Sequence, residues 1–132
     1  MIAFIKKYWK TLLWFTAITL ASLVKKIPVE SPKFELVGFD KLVHFIFYAT
    51  LSFLIFYEGY RTEKSKFSLY WILVFPVAYG GLIELIQGAM VSPRSAEWGD
   101  FVADALGSLC VVAIIKLVLY RRNHYSKLKR KI

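Results

Sequence analysis

Apolar residues in this chain gather in long blocks and do not alternate with polar ones, and short polar stretches separate the blocks. About 20 apolar residues carry a helix across the hydrocarbon core of a bilayer. The blocks therefore predict helices over about 8–24, 40–58, 69–90 and 100–120. The first block, TLLWFTAITLASLV from Thr11 to Val24, is the shortest. It reaches an adequate span only with Tyr8 to Lys10 included and the Lys10 ammonium extended back to the interface. It could instead be the apolar part of a signal peptide. Lys25 and Lys26 follow it at once and no clear A-x-A site precedes them, so it is read as a retained helix. The fold class expected is all-α, a four-helix transmembrane bundle forming one domain over residues 1–132.

The punctuation agrees. Pro28 and Pro32 bias the 25–39 connector toward extended backbone, RTEKSKFS makes a polar loop, and Ser92-Pro93 marks a turn in VSPRSAEWG. Pro76 withdraws a donor from the carbonyl of Ile72 and predicts a kink in the third helix. Gly80 and Gly81, and the pair Ala103 and Gly107, offer surfaces for close helix contact.

Composition sharpens this picture. The chain is 58% hydrophobic, against about 45–50% for soluble domains, and its mean hydropathy is +0.51. Cys110 is the single cysteine, so no internal disulfide forms, and its apolar surroundings mark it as a buried small hydrophobe. The net charge is +9. It sits at the chain ends and in one loop, with no recognition motif beside it, which argues against nucleic acid and for a topology signal. Of the 18 Lys and Arg, 12 fall in the N-terminal segment, the 61–68 loop and the tail from Arg121, against five on the other side and Lys116 within the last span. Both termini are therefore expected in the cytoplasm, in a multi-pass protein whose contacts include membrane lipids.

Against that background, a set of polar residues stands out. Asp40, His44 and Tyr48 are spaced by four and form one stripe on the second helix. Glu84 and Gln87 lie in the last turns of the third, Arg94 and Glu97 in the following loop, and Asp100 and Asp104 in the first turns of the fourth. A charge at the centre of a spanning helix costs about 2.5–3.5 kcal/mol on the insertion scale, so such groups are expected to face a pocket with partners. The assigned topology brings them all to the outer membrane level. Asp40 and Asp100 stand at helix N-termini, which favour carboxylates, and Arg94 is the obvious cation for Glu84, Asp100 or Asp104. Glu84 and Gln87 are either a polar clamp between the third and fourth helices or part of the site. The first helix is expected only to support the packing, and the inner halves of the spans to be dry. No H-x-x-x-H or H-E-x-x-H pairing places two imidazoles on one site, so neither a metal nor another cofactor is expected. No nucleophile elbow or phosphate-binding glycine loop occurs.

D-K-x-x-H (Asp40, Lys41, His44), E-x-x-Q (Glu84, Gln87), Arg94 and D-x-x-x-D-x-x-G (Asp100, Asp104, Gly107), in this order over nearly the whole chain, resemble the VanZ-like family. Asp104 departs from the pattern, where the family often has Asn. The resemblance implies a small integral protein of the bacterial inner membrane with a role in the cell envelope, since the family is named for a member associated with resistance to the glycopeptide teicoplanin. It supplies no reaction. The expected function is therefore an outward-facing polar pocket that binds an amphiphile, such as a lipid-linked envelope precursor or a glycopeptide, without catalysis. A membrane-embedded acid-base enzyme acting on an envelope lipid is the alternative, and a proton or cation relay ranks third.

Overall fold

The structure, a computed structural model, describes residues 1–23, 38–62, 68–89 and 97–129. They form four helices and no strand: α1 (Ile2–Leu23), α2 (Phe39–Thr62), α3 (Leu69–Ala89) and α4 (Trp98–Lys129). The all-α expectation holds. α3 continues through the buried Pro76 to Ala89. α4 runs past the expected end at 120 because RRNHYSKLK contains no Gly or Pro, and its terminal Lys127 and Lys129 complement the helix dipole.

Three helices are long and apolar enough to cross a membrane: 23 residues of α2, 21 of α3 and 27 of α4. The chain is thus a multi-pass membrane protein. α1 falls outside this set because Lys6, Lys7 and Lys10 occupy its first half. Phe53, Leu85, Val102, Leu106, Ile114 and Leu117 all point outward and are at least half exposed, as a lipid-facing surface requires. Cys110 belongs to that outer surface, contrary to the expectation of burial. It falls on the outer side of α4, while Ala103, Gly107 and Ser108 take the inner one.

Register follows from contacts between helices. Thr11 of α1 meets Glu58 near the end of α2, and Ser22 meets Gln87 near the end of α3. α1 therefore runs alongside α3 and opposite to α2. α2 and α4 run the same way, His44 meeting Asp104 and Phe45 meeting Gly107. The core between them holds Ile18, Tyr48, Leu51, Ile72, Ile83 and Val112. The α2–α4 approach depends on Gly107, since an added Cβ would overlap the carbonyl oxygen of Phe45 and lie 3.1 Å from the amide of Ala49.

At the opposite end from His44, α1 breaks its helical geometry at Tyr8 (φ −115°, ψ 26°). A helix that restarts after a break presents N–H groups in need of acceptors. Glu58 supplies them: Oε1 accepts from the Lys10 amide at 3.2 Å, and Oε2 accepts from the Thr11 amide at 3.0 Å and the Thr11 hydroxyl at 2.7 Å. Glu58 is only 5% exposed. A carboxylate of α2 thus caps the main segment of α1 and corrects the expectation that this half of the bundle is dry. The sequence conceals it because Glu58 stands at the expected end of the second helix, where a charged residue ordinarily meets the interface.

Two outcomes follow for thermal unfolding in detergent. Gly107→Ala should lose about 1–3 kcal/mol through overpacking, whereas Gly99→Ala, whose new methyl meets only the flexible Lys41 side chain, should stay within about 0.5 kcal/mol. Glu58→Ala should lose about 1–3 kcal/mol by stranding buried donors, and Glu58→Gln, which keeps an acceptor, should lose less.

Candidate functional site

α2 and α4 present their first turns side by side. α2 begins after Gly38, whose φ of +105° lies in the region glycine favours and whose carbonyl accepts the Leu42 amide at 3.0 Å. Asp40 and Lys41 thereby enter in the first turn. α4 begins after Glu97, whose carbonyl accepts the Asp100 amide at 3.0 Å, and this puts Asp100 in the first turn and Asp104 one turn on. Glu84 fixes the junction with α3: its Oε2 accepts the amide of Glu97 at 3.0 Å. The residue therefore clamps α3 to the start of α4, as one reading of the sequence expected.

His44 is the centre of the cluster and is 9% exposed. Its Nδ1 lies 3.0 Å from Asp104 Oδ1. An ionised carboxylate only accepts, so Nδ1–H donates and Nε2 is left facing Asp100 Oδ2 at 3.8 Å, too far for a hydrogen bond. Asp104 is 1% exposed and Asp100 7%. Asp100 Oδ1 is buried without a hydrogen bond and forms an ion pair with Lys41 Nζ at 3.7 Å. Lys41 also pairs with Glu97, at 3.2 Å. Glu84 lies within electrostatic reach of His44, Asp100 and Asp104, and its second oxygen, Oε1, is buried without a partner.

The structure thus brings together Asp40, His44, Glu84, Asp100 and Asp104, along with Lys41 and Glu97. Gln87 is not among them. Its Nε2 donates to the carbonyl of Ser22 at 2.8 Å, so it clamps α3 to α1, not to α4. Arg94 lies outside the described residues. Below His44 the polar stripe of α2 continues through Tyr48 and Ser52, which are 1% and 0% exposed, and both hydroxyls are buried without partners. The spacing of four that reveals Tyr48 also reaches Ser52, whose small side chain sits in an apolar run.

Gly80 of α3 forms the floor beneath Asp104. A Cβ there would sit 2.6 Å from Asp104 Oδ2 and 3.2 Å from Tyr48, so the carboxylate occupies space that only glycine leaves open.

From the polar end, a groove of about 890 Å³ runs down between α3 and α4. Glu84, Glu97 and Trp98 line it at the polar end, and Leu73, Leu82, Leu85, Phe101 and Leu109 line its apolar walls. No pattern of charged residues marks this feature; it arises where Gly81, Ala78 and Ala105 leave room between two otherwise bulky helices.

The chain matches no family model, and comparison with curated proteins and with solved structures finds none similar to it.

The Gly80–Asp104 contact makes a direct check. Gly80→Ala should cost about 1–3 kcal/mol alone and measurably less in an Asp104→Ala background, giving a coupling of about 0.5–3 kcal/mol in a double-mutant cycle of unfolding free energies. Additive effects would mean that the two residues do not touch.

Proposed function

We propose that this chain is a VanZ-like protein of the bacterial cell envelope, set in the inner membrane with both termini cytoplasmic, and that it binds an amphiphile at its outward-facing polar end. The observation that carries this reading is the continuity of the groove with the polar cluster. An acyl chain fits between α3 and α4 against Leu82, Leu85 and Phe101, while its headgroup meets Glu84 and Glu97. A mainly apolar cleft with a few convergent polar groups is the usual form of a small-molecule site. A carboxylate-rich rim selects a headgroup that donates hydrogen bonds or carries positive charge, and a lipid-linked envelope precursor or a lipidated glycopeptide meets the requirement of an acyl chain with a donor-rich head.

Two further features support the placement. Lys and Arg concentrate twelve to five on the side opposite the cluster, as the positive-inside rule requires of a cytoplasmic face. α1 accompanies the other helices from the level of Glu58 to that of Gln87, and four crossings return the chain to its starting side. The His44–Asp104 pair favours a second reading, a membrane-embedded enzyme in which Asp104 orients His44 as general base toward an envelope lipid.

Purified protein incubated with an envelope lipid extract should retain an amphiphile by native mass spectrometry. Ala105→Trp, which fills the groove, should weaken retention at least tenfold, and a strain dependent on the protein for glycopeptide tolerance should lose that tolerance with the same variant. Retention and tolerance both unchanged would refute the binding reading, while a new lipid product in the wild-type incubation, absent with His44→Asn, would favour the enzyme. In a Cys110→Ser background, an impermeant thiol reagent applied to cells should label Ser95→Cys and spare Lys64→Cys; the reverse inverts the orientation.

A further inference from the structure

We propose that Asp40, His44 and Asp100 form a binding site for one first-row divalent metal ion, independently of what fills the groove. The sequence offers suitable ligand types but no paired imidazoles, and the ligands come from two helices whose first turns are 60 residues apart. In the fold, one ligand atom from each residue lies within 4.8 Å of the other two. Bonds of about 2.0–2.2 Å in a tetrahedral site place ligand atoms roughly 3.4 Å apart, so a contraction of about an ångström closes the group around an ion.

Three independent observations point to a cation there. First, His44 is already set up as a ligand. Asp104 Oδ1, 3.0 Å from Nδ1, holds the ring so that Nε2 turns toward Asp100. This is the carboxylate–histidine arrangement that orients metal-bound imidazoles from behind. Second, Asp100 is more than nine-tenths buried, yet its Oδ1 has no hydrogen bond and its Oδ2 faces His44 Nε2 across 3.8 Å. A divalent cation placed between them would be held by both. Third, Glu84, Glu97, Asp100 and Asp104 gather four further carboxylates around the same point as Asp40, and Lys41 pairs with Glu97 and Asp100. Lys41 is half exposed and divides its charge between Glu97 at 3.2 Å and Asp100 at 3.7 Å. Asp40 is the partly open member and gives the ion its way in from the membrane surface. One imidazole with two carboxylates suits zinc, manganese or cobalt(II) better than calcium or magnesium, which take oxygen alone.

The test uses the full chain in detergent, stripped with a chelator and titrated with Co²⁺ by visible absorption and with Zn²⁺ by calorimetry, with no lipid ligand added. One equivalent of each should bind saturably. Asp100→Asn, which keeps the side-chain volume, and Asp40→Asn, at the more open edge, should each weaken binding at least tenfold. Asp104→Asn should weaken it about 10–100-fold through the orientation of His44. Glu58→Gln, at the other end of the bundle, should leave it unchanged. Absence of saturable binding overturns the proposal, as does binding that survives in folded Asp100→Asn and Asp40→Asn proteins or falls equally in Glu58→Gln. An overturned metal site leaves the groove reading intact, because no amphiphile enters the measurement.

Discussion

The close approach of α2 to α4 at Gly107 is the constraint on which the polar end depends. Two helices running the same way bring their first turns level, and the missing side chain at Gly107 lets the backbone of Phe45 sit against α4. One residue before Phe45 on α2 is His44; three before Gly107 on α4 is Asp104. Their 3.0 Å contact is therefore a consequence of backbone packing lower down, and a bulkier residue at 107 would separate the pair before touching either member. Gly80 does the same for the third helix by leaving the space that Asp104 and Tyr48 occupy. Small residues on α3 and α4 thus decide where charges on α2 and α4 can meet, which accords with membrane helices associating by close backbone packing and not by hydrophobic drive.

The same economy explains the polar groups at the other end. Backbone donors in a bilayer have no water to turn to, so the break at Tyr8 would be costly without an acceptor from a neighbouring helix. Glu58 meets that need and ties α1 to α2, while Gln87 ties α1 to α3 at the far end through the Ser22 carbonyl. α1, the shortest of the four apolar blocks, is held at each end by a polar side chain from a neighbouring helix. Its aromatic contacts fill the interval: Phe15 stacks on Tyr79 at 4.2 Å, and Trp14 donates to the Phe47 carbonyl.

These features differ in how legible they are in the sequence. The helices follow from block hydrophobicity, and α2 and α3 fall within a few residues of their expected limits because a loop punctuates each end. The stripe Asp40–His44–Tyr48 follows from a spacing of four, and its meeting with Asp100 and Asp104 follows from which helix ends share a membrane level. What periodicity does not convey is the azimuth of a helix about its own axis. Gln87 and Glu84 are three residues apart, yet one turns to α1 and the other to α4. Cys110 lies within an apolar run and still faces outward, and Glu58, at the expected end of the second helix, gains a role only when the Tyr8 break gives it donors to accept from. The groove is invisible for a related reason: it is defined by what Ala78, Gly81 and Ala105 lack.

Charge is the quantity that links the cluster to its function. Burying a carboxylate is tolerable when a partner is built in and costly when one is missing, and among the described residues two buried oxygens of the cluster have no hydrogen bond. His44 serves Asp104, Lys41 serves Glu97, and the Glu97 amide takes one oxygen of Glu84. The remaining oxygens, Asp100 Oδ1 and Glu84 Oε1, are both buried and both without hydrogen bonds. They lie in different places, because Asp100 belongs to the group shared by α2 and α4, and Glu84 also lines the groove between α3 and α4. A cation held by His44 and Asp100 would satisfy the first, and a donor on the headgroup of a bound amphiphile would satisfy the second. Since Glu84 lies within electrostatic reach of Asp100, neutralising one makes the other carboxylate less costly to keep ionised, and the two occupants would influence each other's affinity through that shared field.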